Sequence, residues 1–350
     1  MISIIICSRN PDTYKRFDEN IKHTIGAEYE MVVVDNSKGM YGICGAYNEG
    51  VRCSKGDILC FMHEDIIYHS HEWGKRIEEY MQEDSVGILG VAGSVIVPDR
   101  GDWRFLDIRD TYLIQGYHTY NRPAFYYRKG IEWDTQHPIK KVAVIDGCWF
   151  CIKRELFSIG QLKFDEDNFP GFHMYDTDIC MQVNKIGRYI YLCSDIVLEH
   201  TSEGLYTHEF EESLEKFLKK WNAVLPYSVE SVDKCLLEKK ENEAERKLAE
   251  RIEKDRLIMS IRDFYDESER GIFIKPLPVE AQRFMELSLL EYIKVEIKYS
   301  TTNKEAYDAL CLCFKHRKKV WNMIFKYLYY RFINRRFIRC RKFMQLPAIK

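Results

Sequence analysis

The first hundred residues alternate buried-type apolar runs with helix-patterned segments, and that rhythm leaves few folds open to the chain. Ile2–Cys7, Tyr29–Val34, Asp57–Met62 and Val86–Val97 read as strands, the third after a Gly-containing turn. Between them lie a helix with Tyr14, Phe17 and Ile21 on one face, a second over 41–53 and a third over 72–82. Strands joined through helices need crossover connections, so the predicted fold class is α/β: a doubly wound, mostly parallel sheet with helices on both faces. Gly42, Gly45 and Gly50 weaken the second helix intrinsically and point to a close approach of backbone or ligand.

The third run ends in His63-Glu64-Asp65. Open α/β sheets place their ligand crevice at the carboxyl ends of their strands, and adjacent acidic oxygens suit a hard divalent cation that bridges phosphates. Taken alone, the triplet also reads as a strand running into a solvated acidic turn. Residues 98–141 break the rhythm with Tyr, Trp, Arg, His and Pro in no clear period, as functional or mobile segments do. A strand resumes over 141–145, followed by Asp146-Gly147 and an apolar run to Ile152. Tyr175-Asp176-Thr177-Asp178 opens a helix to about Lys185, where either carboxylate also reads as an N-terminal cap. Two short strands, Tyr189–Cys193 and Ile196–Glu199, follow, and the second leads into His200.

With 350 residues, 46% of them hydrophobic, the chain can bury one large α/β domain and a smaller appendage. The predicted division is 1–225 for the α/β domain, 226–272 for a charged helical linker and 273–350 for a small, basic helical module. The net charge of -2 hides an asymmetry. Residues 315–350 hold 12 Lys and Arg and no acid, which leaves 40 basic against 54 acidic residues, or -14, before them. Over 317–343, Trp321, Ile324, Phe325, Leu328 and Phe332 share a helical side, and a dense Arg and Lys cluster follows. Such a segment suits an anionic membrane surface or packs as a terminal helix, and nucleic acid is the weakest of the three readings. No secretory signal opens the chain and the 12 cysteines are scattered through apolar runs, so the expected location is cytoplasmic, peripheral on the inner membrane face if the tail binds lipid. Cys148 and Cys151 have a zinc-knuckle spacing without a second pair, and their intervening residues suit a core strand.

Several pieces in order carry a resemblance: Ile4-Ile5-Ile6 with Ser8, Val32-Val33-Val34-Asp35-Asn36-Ser37, Ala46-Tyr47-Asn48-Glu49-Gly50, Gly56–Phe61 into His63-Glu64-Asp65, Asp146-Gly147 before Ile152-Lys153-Arg154, Phe164-Asp165, and Tyr175–Ile179. Over roughly residues 1–205 the chain resembles the family 2 nucleotide-sugar glycosyltransferases of GT-A fold, and within them the subgroup named after the streptomycin biosynthesis protein StrF. The resemblance implies inverting transfer from a nucleotide-diphospho-sugar donor to a glycan or lipid-linked acceptor hydroxyl in bacterial surface-glycan assembly. It implies Mn²⁺ or Mg²⁺ as cofactor, held by Asp65 with His63 and His200, with a hydrogen-bonding role for His63 and a structural one for His200 as the alternatives. Ser8, Asp35, Asn48 and Glu64 would join Asp65 in contacting the donor. Asp176 matches the general base, and Asp178 matches a residue that caps the helix or orients its neighbour, and it stays open as the alternative base. Two departures stand out, since His63 replaces the first Asp of the family's Asp-x-Asp element and Tyr175 stands where many relatives carry Glu. The rival readings are a related transferase that needs no metal and a non-catalytic sugar-nucleotide or glycan binder; a pure binder has no use for both Asp65 and Asp176.

Overall fold

In the computed structural model the chain runs β1 (Ile2–Ser8), α1 (Pro11–Thr24), β2 (Tyr29–Asp35), α2 (Ile43–Cys53), β3 (Ile58–Met62), β4 (Ile66–Tyr68), α3 (Trp73–Tyr80), β5 (Val86–Gly90), β6 (Gly93–Ser94) and β7 (Ile96–Val97). Four two-residue strands follow: β8 (Tyr112–Leu113), β9 (His118–Thr119), β10 (Arg122–Pro123) and β11 (Arg128–Lys129). The rest comprises β12 (Ile139–Val142), β13 (Val144–Ile145), β14 (Trp149–Lys153), α4 (Arg154–Ser158), α5 (Tyr175–Lys185), β15 (Tyr189–Cys193), β16 (Leu198–His200), α6 (His208–Trp221), β17 (Tyr227–Ser228) and α7 (Lys234–Glu269). The structure describes residues 1–9, 11–106, 112–113, 118–119, 122–123, 128–129, 138–158, 162–200 and 204–269. The predicted helical module 273–350, including the basic stretch 317–343, lies outside them.

Seven strands form the main sheet, in the order β12-β15-β5-β14-β3-β1-β2. Parallel pairing joins β1 to β2 and β3, and β15 to β5, whereas β14 runs antiparallel to both β3 and β5, and β12 to β15. Thus β1, β2, β3, β5 and β15 point one way, and the sheet is mostly parallel, as the strand–helix rhythm implies. The three inner strands β3, β5 and β14 are buried at every residue, and a strand covered on both faces needs the unbroken apolar runs found there. Alternate residues of β3 serve opposite layers. Leu59 and Phe61 join a core with Ile43 and Tyr47 of α2, Ile179 of α5 and Phe217 of α6. Ile58, Cys60 and Met62 join another with Ile21 of α1 and Trp73 and Ile77 of α3. Helices therefore cover both faces.

The run 86–97, read from the sequence as one strand, is three. After Gly90 the chain leaves the main sheet, β6 pairs with β13, and β7 pairs with β17. Every residue from Val86 to Val97 except Ser94 and the three glycines is apolar and all twelve are buried, so the run carries no period that marks where the partner strand changes. Cys148 and Cys151 are buried at and within β14 among apolar neighbours, in keeping with the core-strand reading.

Clustering of the backbone divides the chain into two compact units, Met1–Ile252 and Glu253–Lys350. In the first, Leu237 and Ala244 of α7 bury against Ile96 and Leu106, and Glu241 accepts a hydrogen bond from the Asp99 amide at 2.8 Å. The exposed side of that helix carries pairs such as Lys247 with Glu243 at 3.0 Å, each contributing a few tenths of a kcal/mol (roughly 0.2–0.5). Among the described residues no helix is long and apolar enough to cross a membrane.

Candidate active site

The register of the inner strands brings the polar residues to one edge of the sheet. Ser8 closes β1 opposite Asp35 at the end of β2, and Met62, the last residue of β3, lies level with Ile6 of β1 and Trp149 of β14. Because β14 is reversed, its preceding turn, Asp146-Gly147-Cys148, stands at this same edge. The His63 amide donates to the Cys148 carbonyl at 3.0 Å and so locks the two segments side by side.

His200 arrives through β16, which pairs antiparallel with β4 so that His200 faces Ile66, the neighbour of Asp65. The His200 Nε2 atom is 3.2 Å from Asp65 Oδ1 and 3.1 Å from His63 Nδ1. One ligating atom from each of His63, Asp65 and His200 lies within 4.8 Å of the others. On its far side His63 Nε2 is 3.0 Å from the Tyr175 hydroxyl, which in turn donates to the Gly147 carbonyl at 3.1 Å. Since that hydroxyl proton is spent on Gly147, the hydroxyl accepts from His63 Nε2–H, and the tautomer this selects leaves a lone pair on Nδ1, facing Asp65 and His200. Fixing a ring through its second nitrogen is how proteins prepare a histidine to ligate. Burial and the nearby His200 hold His63 neutral, its pKa lowered to about 4. Burial would lower His200 as well, but the hydrogen bond and charge of Asp65 overcome it and raise the ring. Two nitrogens and one carboxylate suit a first-row transition ion such as Mn²⁺ better than Mg²⁺, which prefers oxygen ligands and water.

The two departures from the family pattern thus touch each other. Tyr175 reaches His63 because Gly147 has no side chain; a Cβ there would collide with the tyrosine hydroxyl. Met174, the N-cap of α5, adopts the left-handed conformation (φ 62°) while buried, a strained choice for a residue with a side chain, and this turn opens the helix with Tyr175 and Asp176 at the sheet edge. The N-cap position itself is Met174, which makes no side-chain cap bond, and Asp176 satisfies the first-turn amide of Thr177 from within the helix.

Asp176 is 3% exposed and saturated with donors. Its Oδ2 accepts from Arg104 Nη2 at 2.6 Å and from the Gly147 amide at 2.9 Å, and its Oδ1 from the Thr177 amide at 2.7 Å and the Thr177 hydroxyl at 3.3 Å. Arg104 also lies 3.5 Å from Asp146 Oδ2 and 3.5 Å from Asp102 Oδ1. One guanidinium therefore serves three carboxylates. Burial raises Asp176 and Asp102, with Arg104 opposing it in both. Burial would raise Asp146 too, but Arg104 and the Cys148 amide bring it below the ordinary range. The Asp146 side chain, 32% exposed, is the most open of the three.

Not every predicted residue joins this cluster. Asp178 turns to α6, where Trp221 Nε1 donates at 2.7 Å and Lys220 lies 2.8 Å away. The Asn48 amide bonds the backbone of Phe164 in both directions, at 2.9 and 3.2 Å, and so secures the 162–171 loop on α2. The close approach that the α2 glycines imply is to this loop at Gly42, where a Cβ would strike the Pro170 carbonyl, and to Ile5 of β1 at Gly50. Ser8 donates to Glu64 at 2.7 Å, and exposed Asp35 accepts from the Ser37 amide at 2.9 Å, placing both pairs at the carboxyl ends of β1 and β2. Sequence reasoning missed Arg104, Asp102 and the role of Asp146. Arg104 lies in the segment that broke the rhythm, and the sequence signal was only its lack of period.

Residues 3–221 match the family described as "Glycosyltransferase like family". No curated protein matches. Solved structures with a similar trace include GalNAc-T7 with UDP, GalNAc and Mn²⁺ (12% identity, TM-score 0.45, 63% of this chain and 48% of that one). Others are A197 from STIV (12%, 0.32, 58% and 86%) and the mannosyltransferase PcManGT from Pyrobaculum calidifontis with GDP-Man and Mn²⁺ (13%, 0.37, 58% and 57%). The chain spans about half the length of the first of these.

Proposed function

Because the chain belongs to the glycosyltransferase-like family, with the matched region covering well over half its length, we propose that it is a metal-dependent inverting transferase that moves a sugar from a nucleotide-diphospho-sugar to an acceptor hydroxyl. The observation that carries this reading is the meeting of His63, Asp65 and His200 beside Asp176 at one sheet edge. In this reading residues 1–225 form the catalytic domain of a GT-A, StrF-like enzyme, and the acceptor is a glycan or lipid-linked sugar of bacterial surface-glycan assembly.

His63 Nδ1, His200 Nε2 and the Asp65 carboxylate would hold Mn²⁺, with Tyr175 keeping the first ring in its ligating tautomer. Bound there, the ion would act as a Lewis acid toward the diphosphate leaving group. Ser8, Glu64 and Asp35 lie along the ends of β1, β3 and β2, where the nucleoside would extend. Asp176 takes the proton of the acceptor hydroxyl, whose oxygen attacks the anomeric carbon from the face opposite the diphosphate. Its burial raises its basicity, which suits that role.

Calorimetry of UDP and GDP with and without Mn²⁺ tests the reading. Mn²⁺ should tighten binding of one of them about tenfold or more, and Asp65→Ala should remove most of that gain. Equal affinities in both conditions would point to the metal-independent alternative, and tight binding without any turnover of nucleotide-sugars to a binder.

A further inference from the structure

A base must offer a lone pair, and Asp176 has none to offer. A carboxylate has about four lone-pair positions, and four donors occupy those of Asp176. Three of these belong to Gly147 and Thr177, backbone amides and a fully buried hydroxyl that an acceptor cannot reach. The fourth is the Arg104 guanidinium, at 22% exposed the more open of the two side chains, against 3% for the acid. Of the two donors on Oδ2, the Gly147 amide is fixed in the backbone and Arg104 is on a side chain that can turn away.

A second observation shows where Arg104 can go. Asp102 is 4% exposed, and its Oδ2 accepts no hydrogen bond among the described residues. Buried acceptors without donors are rare and costly, and this one lies beside a guanidinium with several N–H groups. Arg104 Nη1 is already 3.5 Å from the other Asp102 oxygen, and the Arg104 amide is 3.4 Å from it. A turn of the side chain would let the fork span both Asp102 oxygens, the geometry in which an Arg–carboxylate pair is strongest.

We propose that Arg104 is a positioning residue with two seats, and that its transfer from Asp176 to Asp102 uncovers the general base when the acceptor enters. This rests on the reading of Asp176 as that base. Once uncovered, Oδ2 takes the acceptor proton while the acceptor oxygen bonds the anomeric carbon; the bond from that carbon to the diphosphate breaks, and the diphosphate leaves with the electron pair. No other reactant is required. The electrostatics run the same way, since burial raises both acids and Arg104 counters it in each. Moving the guanidinium therefore lowers the proton affinity of Asp102 and raises that of Asp176 at the moment a proton must be accepted. Asp146, held 3.5 Å from Arg104 Nε and partly open, gives the guanidinium an electrostatic partner between the two seats.

Two measurements on the full chain decide it. A crystal structure of Asp176→Asn removes the charge that holds Arg104 in its first seat; a guanidinium nitrogen should then lie about 3 Å from Asp102 Oδ2. Arg104 still on residue 176, or turned into solvent, overturns the proposal, and this result needs no turnover. The kinetic arm follows nucleoside diphosphate release from a panel of UDP-, GDP- and dTDP-sugars with Mn²⁺. Asp102→Asn should lower kcat about tenfold and leave the donor KM within about twofold, because only the second seat is weakened. Unchanged kcat, or a raised KM with unchanged kcat, overturns it. A wild-type protein that turns over none of the panel counts against the functional reading, and the Asp176→Asn structure still decides the position of Arg104.

Discussion

Asp176 and Asp178 stand two residues apart in the first turn of one helix, both are almost fully buried, and burial raises both. Their surroundings differ in charge balance. Asp178 receives Trp221 Nε1, Gln182 Nε2 at 2.7 Å and Lys220, and that lysine also pairs with Asp165 at 2.6 Å and lies over the rings of Phe169 and Trp221. All these partners are carried by α5, α6 and the loop between α4 and α5, so the network ties elements together. Asp176 instead shares one guanidinium with Asp102 and Asp146, and that guanidinium comes from the segment after β7 at the open sheet edge. Two acids share one lysine there, and the neutral indole and amide donors around Asp178 tie α5 to α6. Three acids surround one guanidinium, with Asp102 Oδ2 unpaired among the described residues, which leaves that edge with more negative than positive charge.

The largest effect should separate the two residues by activity. Asp176→Asn is expected to leave donor binding nearly intact and to lower turnover by a factor on the order of 10² to 10⁴, as loss of a general base does. Calorimetry and diphosphate release measure the two halves; a comparable loss in Asp178→Asn alone would move the base to Asp178. The second effect is on stability. Asp178→Asn leaves Trp221 and Lys220 facing a neutral amide and should cost about 2–3 kcal/mol in urea unfolding, with kcat changed only a few-fold. An Asp178→Asn protein as stable as wild type would undo the contrast.

The smallest effect concerns pH and the outer end of the Asp178 network. Burial alone would raise Asp165, but Asn168 and Lys220 hold it below the ordinary carboxylate range. The unfolded chain therefore binds this proton more readily than the folded one. The stabilisation is complete above the ordinary carboxylate value and is lost as pH falls through the lower, folded one. Asp165→Asn should remove about 1 kcal/mol at pH 7 and very little at pH 2–3. Urea midpoints at both pH values check the sign, and an equal loss at each would mean that packing, not charge, accounts for Asp165.

Neighbouring positions in the sequence were enough to identify β1, β2, β3, β15, the first three helices, the acidic tip after β3 and the carboxylates that open α5, because each depends on a local apolar period or a breaker close at hand, whereas β4 and α6 went unread. Two runs read as single strands are divided: 86–97, where no period existed, and 141–145, which splits between β12 in the main sheet and β13 paired with β6. Tertiary structure decided which of these residues work together. His200 meets His63 across 137 positions through the pairing of β16 with β4, and Arg104 meets Asp176 across 72 through a segment without regular structure. Asp178, chemically the twin of Asp176, is drawn to α6 because successive helical positions point about 100° apart, so two residues on one turn can face different neighbours. Which side chains share a site depends on long-range pairing and on the direction of each side chain, and neither is written in the spacing of a single chain.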